Sequence, residues 1–440
     1  MPRLAPAKAI RYPITGEMID ECLIITENAG ALTELCGISV LDRLLRTLQR
    51  CGFQSATVWA TEPDAIRTAL ARPSQFQNQI AIKVRGRESG PLSLKEIVDL
   101  SAGTGELFMV VKGDIIFDDR LLRLLATQTT ATALIDSAPP ESLQQLIAVP
   151  QIDGGSFCGA AVLNKKWAAA QDSLAEESIH KGLAEGAITV VDVAAQPTYS
   201  PEMRRPLRPF WFPAPPPSEK LLAEQLILRS AQKGAQDLPA WVHAPIENFL
   251  ISCLWRTSIT PNQLTISCNV IAWIATVLFT TGHLACGLAL ALLVGVLDGL
   301  DGKQARVKIE TTSGGKLEHW FDAAFEWSWW IALAYHLQIS GKLPAAFWYL
   351  FLLLLAEAVD GIAKGTVLFK TGKLIDELSL FERVVRLFGG RRNVYVWILT
   401  IGLLFGAPAK AFIVMAWWEV ATAILHLPRA AWVLLGRERS

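Results

Sequence analysis

The pattern of apolar and polar positions changes character near the middle of the chain. Between about residues 262 and 435, long apolar runs follow one another, and most of the tryptophans lie among them. A bilayer core takes about 20 apolar residues per helix. Six candidate spans follow: Leu264–Thr281, Leu284–Leu300, Trp320–Leu337, Ala345–Lys364, Val394–Phe405 with an extension to about Phe412, and Ile413–Leu434. The alternative is a set of core helices in a large soluble protein. It fits less well with so sustained a pattern, whose Trp and Tyr residues gather near span ends. An amphipathic stretch, Trp241 to Trp255, precedes the first span and suits the membrane interface. Thr260-Pro261-Asn262 then caps the first spanning helix.

The first half carries shorter runs. Cys22–Thr26, Ser55–Ala60, Ile80–Arg85 and Leu107–Val111 read as strands, and Ser39–Cys51, Asp64–Ala71 and Ser93–Ser101 as helices. Strands separated by helices predict a parallel α/β sheet. The run from Val110 to Asp118 is a buried strand ending in an acid, and open sheets bind ligands at such carboxyl ends. The fold class is therefore an α/β N-terminal domain followed by an all-α membrane domain of six transmembrane helices. We place the first at 1–195, a linker at 196–240 and the membrane domain at 241–440. The linker is rich in proline, arginine and aromatics, and its Arg204, Arg205 and Arg208 suit anionic headgroups.

Charge orients the spans. Lys303, Arg306, Lys308 and Lys316 follow the second span, and Arg383, Arg386, Arg391 and Arg392 precede the fifth. The opposite loops hold Lys342 and Lys410. Positive loops stay inside, so these loops and both termini are expected on the cytoplasmic side of a multi-pass protein of the inner membrane. The region Met1–Arg11 has no apolar signal-peptide core, which agrees. Formal net charge is zero over 440 residues, which excludes a broad basic surface for nucleic acid. The seven cysteines are scattered without a C-x-x-C pair, as expected in a reducing compartment.

Candidate chemistry sits where the second span ends. The sequence reads Asp298-Gly-Leu-Asp301-Gly302-Lys-Gln-Ala305-Arg306, and after a polar loop Gly314-Gly315-Lys-Leu-Glu318-His319-Trp-Phe-Asp322-Ala-Ala-Phe-Glu326. Asp298 and Asp301 share one helical face, and Glu318, Asp322 and Glu326 share another. Carboxylates at membrane depth are costly unless paired or bound to cations. Oxygen ligands suit Mg²⁺ or Mn²⁺, and two such ions about 4 Å apart would hold a diphosphate. Small residues at 302, 305, 314 and 315 allow close approach of a nucleotide or a backbone. The bland alternative is a solvated helix end with ordinary surface acids. A further pair, Arg391-Arg392 after Gly389-Gly390, suits a phosphate, or else only enforces topology. Asp360, with Glu357 nearby, is either a bundle contact or part of a substrate cavity.

The first half of this motif resembles the CDP-alcohol phosphotransferase family of membrane enzymes, whose signature is D-x-x-D-G-x-x-A-R, eight residues, then G-x-x-x-D-x-x-x-D. Asp298, Asp301, Gly302, Ala305 and Arg306 match it in full. In the second half, a spacing of eight residues puts His319 and Ala323 at the acidic positions. A spacing of seven starts from Gly314 and puts Glu318 and Asp322 there. We prefer seven, because a loop tolerates a deletion better than a metal site tolerates an alanine. The resemblance implies that Asp298, Asp301 and Glu318 are metal ligands and that Asp322 is a ligand or the general base. It implies that Gly302, Ala305 and Arg306 edge the CDP site. It also implies a CDP-alcohol donor, an alcohol or alcohol-phosphate acceptor, contact with membrane lipid and a homodimer.

The N-terminal half resembles the nucleotidyltransferase domains that some of these enzymes carry in front, as in bifunctional inositol-phosphate cytidylyltransferase/phosphotransferases. Such domains follow the first strand with a glycine-rich, basic loop. Here Thr26–Glu34 holds one glycine, two acids and no basic residue, and acids there repel a triphosphate. The expected activity is transfer of a phosphoalcohol group from a CDP-alcohol to a second alcohol with release of CMP, in phospholipid or phosphodiester synthesis. The alternatives are a bifunctional enzyme that also makes its own CDP-alcohol, and a catalytically dead membrane scaffold or nucleotide sensor.

Overall fold

The computed structural model describes residues 19, 21–71, 80–86, 93–100, 105–147, 151–152, 155–234, 237–310 and 315–436, with side chains from 322 onward in the last of these. The chain forms two compact units. The first comprises Met1–Ala231 with Val307–Glu310, and the second comprises Gln232–Arg306 with Thr311–Ser440.

The first unit is built on a sheet whose strands are β1 (Glu21–Thr26), β2 (Ser55–Ala60), β3 (Ala81–Gly86), β4 (Leu107–Lys112), β6 (Thr132–Asp136), β7 (Gly155–Asn164), β8 (Thr189–Asp192) and a short strand Gln151–Ile152 paired with β7, with β5 (Ile115–Phe117) outside it. The order is β8-β6-β7-β4-β1-β2-β3. The other expected strands and helices of the first half are present within one or two residues, with α1 at Val40–Cys51, α2 at Pro63–Ala71 and α3 at Leu94–Leu100, but the run expected as one strand from Val110 to Asp118 breaks at Gly113 into β4 and β5. The reason is local. Ser39 accepts the backbone N–H of Asp42 and starts α1, and Gly52 ends it with a left-handed φ of 104° that a side chain would strain. The sheet is mixed and not wholly parallel, because β7 runs antiparallel to both β4 and β6.

The proline-rich stretch expected to be a linker is structured. Its strand β9 (Trp211–Pro213) pairs antiparallel with β5, and Trp211 and Phe212 are fully buried. Arg208 does not wait for a lipid headgroup. Its guanidinium lies 2.7 Å from the fully buried Asp136 carboxylate, which also accepts from Trp211 Nε1 at 3.1 Å. A buried carboxylate needs such partners. Together these contacts hold the stretch against the strand ends of the first unit, and that unit runs on to Ala231.

The second unit is helical: α5 (Pro239–Leu254), α6 (Pro261–Thr281), α7 (Leu284–Val307), α8 (Gly315–Ile339), α9 (Ala346–Thr371), α10 (Leu380–Phe388), α11 (Arg392–Leu404) and α12 (Pro408–Leu434); α4 (Asp119–Ala126) belongs to the first unit. Among the described residues α6, α7, α9 and α12 are long and apolar enough to cross a membrane, and α11 is a shorter apolar helix. Thr260 caps α6 with a reciprocal capping box through Gln263. The expected extension of the fifth span to Phe412 does not form. Helix α11 ends at Leu404, Gly406 takes a left-handed φ of 66°, and α12 begins at Pro408. The core of this unit is aromatic: Trp329, Trp330, Phe325, Tyr395 and Phe412 are buried together. Trp329 Nε1 donates to the Ala272 carbonyl at 2.8 Å and pins α8 to α6.

Candidate active site

Asp298 and Asp301 stand one turn apart near the end of α7. Asp301 Oδ2 accepts from Thr265 Oγ1 of α6 at 2.6 Å. Asp298 Oδ2 accepts from Arg392 Nη2 of α11 at 2.5 Å. The guanidinium of Arg392 lies 5.0 Å from the centre of the Phe325 ring on α8, a cation–π distance. Its strongest charge neighbours are Asp298, Glu326 and Asp322. Four helices thus meet at one point. The arginine is mostly sequestered and the aspartate about one-third exposed, at 12% and 34% of their side-chain surface.

Of the expected site residues, Asp298, Asp301, Asp322 and Arg392 come together, and Glu326 joins them. Ala305 is buried on α7. Gly302 lies in front of Arg306, where a Cβ would come within 3.2 Å of the guanidinium. Arg391 is the N-cap of α11 and acts electrostatically on Glu326. Gly314 lies outside the described residues. Glu318 sits on the described backbone of α8, but its side chain lies outside them. Asp360 pairs with Lys364 and His426, each at 2.5 Å.

Several partners were not singled out from the chain. Thr265 is one turn into α6 and reads as a neutral helix residue until α7 packs beside it. Lys303 looks like another positive-inside lysine, yet it is fully buried and bonded to Gln232 and Asn248, with Glu247 at 3.7 Å. Asn393 donates to Asp237 at 3.2 Å. The available signal was a lysine within two residues of Asp301, and topology explained it equally well.

The acid oxygens at the end of α7 fit a hard divalent cation, since the donor set contains no thiol or imidazole. Among the described residues no group of three or more His, Cys, Asp or Glu is arranged to hold a metal ion.

Residues 258–425 match the model of the CDP-alcohol phosphatidyltransferase family. The chain carries a CDP-alcohol phosphatidyltransferase domain. This domain begins just before α6 and ends within α12, so it contains Asp298, Asp301, Asp322 and Arg392. The chain is 24% identical over 436 residues to a protein of Rubrobacter xylanophilus named bifunctional IPC transferase and DIPP synthase, covering 90% of each chain. A protein of the same name from Aquifex aeolicus is 26% identical over 215 residues, 47% of each chain. A solved inositol-1-phosphate CTP transferase from T. maritima aligns over 48% of this chain and 97% of its own, at 13% identity and a TM-score of 0.36. The CDP-alcohol phosphatidyltransferase domain makes the protein a transferase of the CDP-alcohol class.

Proposed function

We propose that this membrane transferase moves a phosphoalcohol group from a CDP-alcohol to the hydroxyl of an acceptor, with Asp298 and Asp301 at the centre of its site. The observation that carries the reading is the meeting of the D-x-x-D pair on α7 with Thr265, Asp322 and Arg392 from three other helices. Asp298, Asp301 and, with its side chain outside the described residues, Glu318 would hold a divalent cation, Mg²⁺ or Mn²⁺. Such a cation supplies charge stabilisation for the diphosphate and the leaving CMP. Asp322 holds a further ligand place or accepts the acceptor's hydroxyl proton. Gly302, Ala305 and Arg306 edge the CDP, with Gly314 completing the approach.

In this reading Arg391 and Arg392 hold a phosphate on the acceptor, and Arg392 rests on Asp298 until a substrate arrives. A bidentate guanidinium gives this role a geometry that an ammonium lacks. The double variant Arg391→Lys with Arg392→Lys raises the acceptor KM by at least about tenfold and changes the donor KM less, the scale of one lost bidentate contact. Initial rates over a range of acceptor concentrations check it. Unchanged kinetics would leave the pair as topology signals.

The wider reading has six spans, with α8 and α11 completing the set formed by α6, α7, α9 and α12. The basic loops and both termini face the cytoplasm, and two copies form a dimer. The N-terminal unit serves as a scaffold or nucleotide sensor and not as a second catalyst. Asp114, the acid after β4, is capped by Asn28, whose Nδ2 donates to it at 2.8 Å. Burial pushes the Glu27 carboxyl up; Lys112 counteracts this, while Glu176 and Asp114 reinforce it. Lys112 is itself paired with Glu176 at 2.8 Å. A triphosphate would meet acids here and no uncommitted cation from that strand. Full-length protein given CTP and a panel of alcohol phosphates therefore releases no pyrophosphate. Robust release with any of them would establish the bifunctional reading that the relatives' names describe.

A further inference from the structure

Helix α5 is amphipathic in an inverted sense. Its buried stripe includes His243, Glu247 and Ile251, while Trp241, Val242, Ile246 and Phe249 are exposed at 60%, 48%, 44% and 67%. A helix with its charges inside and its large apolar side chains outside is unsuited to water. Only residues 255–260 separate it from α6, a helix long and apolar enough to cross a membrane. Helix α10 repeats the arrangement: Glu382 and Arg386 are buried, and Leu380, Phe381, Val384 and Phe388 are exposed. The two helices are joined, because the Leu238 N–H donates to the Leu387 carbonyl at 2.9 Å.

The inward face of α5 touches both halves of the candidate site. On one side it lies on α7. A Cβ at Gly295 would come within 3.1 Å of the His243 ring, and one at Gly299 within 2.5 Å of Glu247 Oε1. Four-residue spacing on both helices lets two side chains of α5 sit in two gaps of α7. One turn further, the buried Lys303 ammonium is held by Asn248, Gln232 and Glu247. These residues lie on the segment that carries Asp298 and Asp301. On the other side Asp237, at the start of α5, accepts from the Ala240 N–H at 2.9 Å and from Asn393 at 3.2 Å. Asn393 follows Arg392, which grips Asp298.

We propose that α5, seated by its outer face at the membrane interface as its sequence suits, is a positioning strut whose inner face fixes the carboxylate segment of α7 against the start of α11. Lys303 and Asn393 are positioning residues: they touch no reacting atom and act through Asp298, Asp301 and Arg392. Loss of a group that orients a metal-binding carboxylate typically costs ten- to a hundredfold in metal affinity. The proposal rests on the reading of Asp298 and Asp301 as metal ligands.

Two measurements on full-length protein in nanodiscs test it. The first uses phosphatidylcholine with a diazirine on the acyl chain. After illumination, adducts located by tandem mass spectrometry fall on Trp241, Ile246 or Phe249 as well as on α6. Adducts on α6 with none on α5 overturn the lipid seat. The second follows Mn²⁺ binding by electron paramagnetic resonance without substrate. Lys303→Met and Gly299→Ala each weaken binding by about tenfold or more. Lys303→Arg, which keeps a buried donor, recovers part of it. Asn393→Ala lowers kcat while leaving the donor KM within about twofold, the mark of altered orientation and not of lost binding. Wild-type binding with unaltered binding in Lys303→Met and Gly299→Ala overturns the strut. A wild-type protein that takes up no Mn²⁺ would instead sink the metal reading on which it rests.

Discussion

Asp298→Asn and Asp301→Asn each abolish release of CMP while the protein stays folded in detergent. The amide is nearly isosteric with the carboxylate but carries no charge to hold a cation. A loss of about 4 kcal/mol of transition-state stabilisation is about a thousandfold in rate, and removal of one electrostatic stabiliser is typically of that order. The fold should survive for a specific reason. Arg392 loses one partner in Asp298→Asn but keeps Glu326 and Asp322 as charge neighbours and the Phe325 ring beneath it. Asp301→Asn retains an oxygen that can accept from Thr265. Turnover is measured by CMP release at several Mg²⁺ concentrations, with size-exclusion chromatography as the control for folding. Near-normal Mg²⁺-dependent turnover in either variant would end the proposed role of this pair.

The second large effect separates two readings of α8. Glu318→Ala and Asp322→Ala each lower the rate by at least about a hundredfold, the scale of losing a general base, whereas His319→Ala is mild. Residues 318, 322 and 326 follow one another at four-residue steps and share a face. Asp322 and Glu326 are charge neighbours of Arg392, the residue bonded to Asp298. Residues 319 and 323 lie about 100° further round the helix, and Ala323 offers no donor. The competing spacing predicts the reverse outcome: an inactive His319→Ala beside an active Glu318→Ala. The same assay, run on all three variants at matched protein concentration, decides between them.

Much of the fold could be read in advance because its determinants are local. Strand β1 and helix α1 need only a run of apolar residues, a serine cap and a terminal glycine. Helix α6 needs its length and the Thr260–Gln263 box. Where the reading of the fifth span ran long, the cause was also local: apolar residues continue through Phe405 and Phe412, and Gly406 interrupts the helix without interrupting hydropathy. The stretch around Trp211 was misread for a different reason. Proline and arginine look like linker composition. What ties Arg208 and Trp211 down is Asp136, 72 and 75 residues earlier, and no nearby residue announces that partner.

The candidate site divides in the same way. Asp298, Asp301 and Asp322 are legible because a carboxylate at the end of an apolar run is costly, and because helical spacing puts such acids on common faces. The sequence by itself therefore determined most of the elements, the division into an α/β part and a helical part, and the acids at the end of α7. Only the tertiary structure decided that β7 runs antiparallel in the sheet, that Thr265 holds Asp301, that Arg392 rests on Asp298, and that Lys303 is buried under α5. Each of these is a pairing between groups from separate elements. Chain periodicity reports which face of a helix is apolar, but the partner of a polar atom is chosen by packing, where burial makes an unmet hydrogen bond or charge too costly to leave.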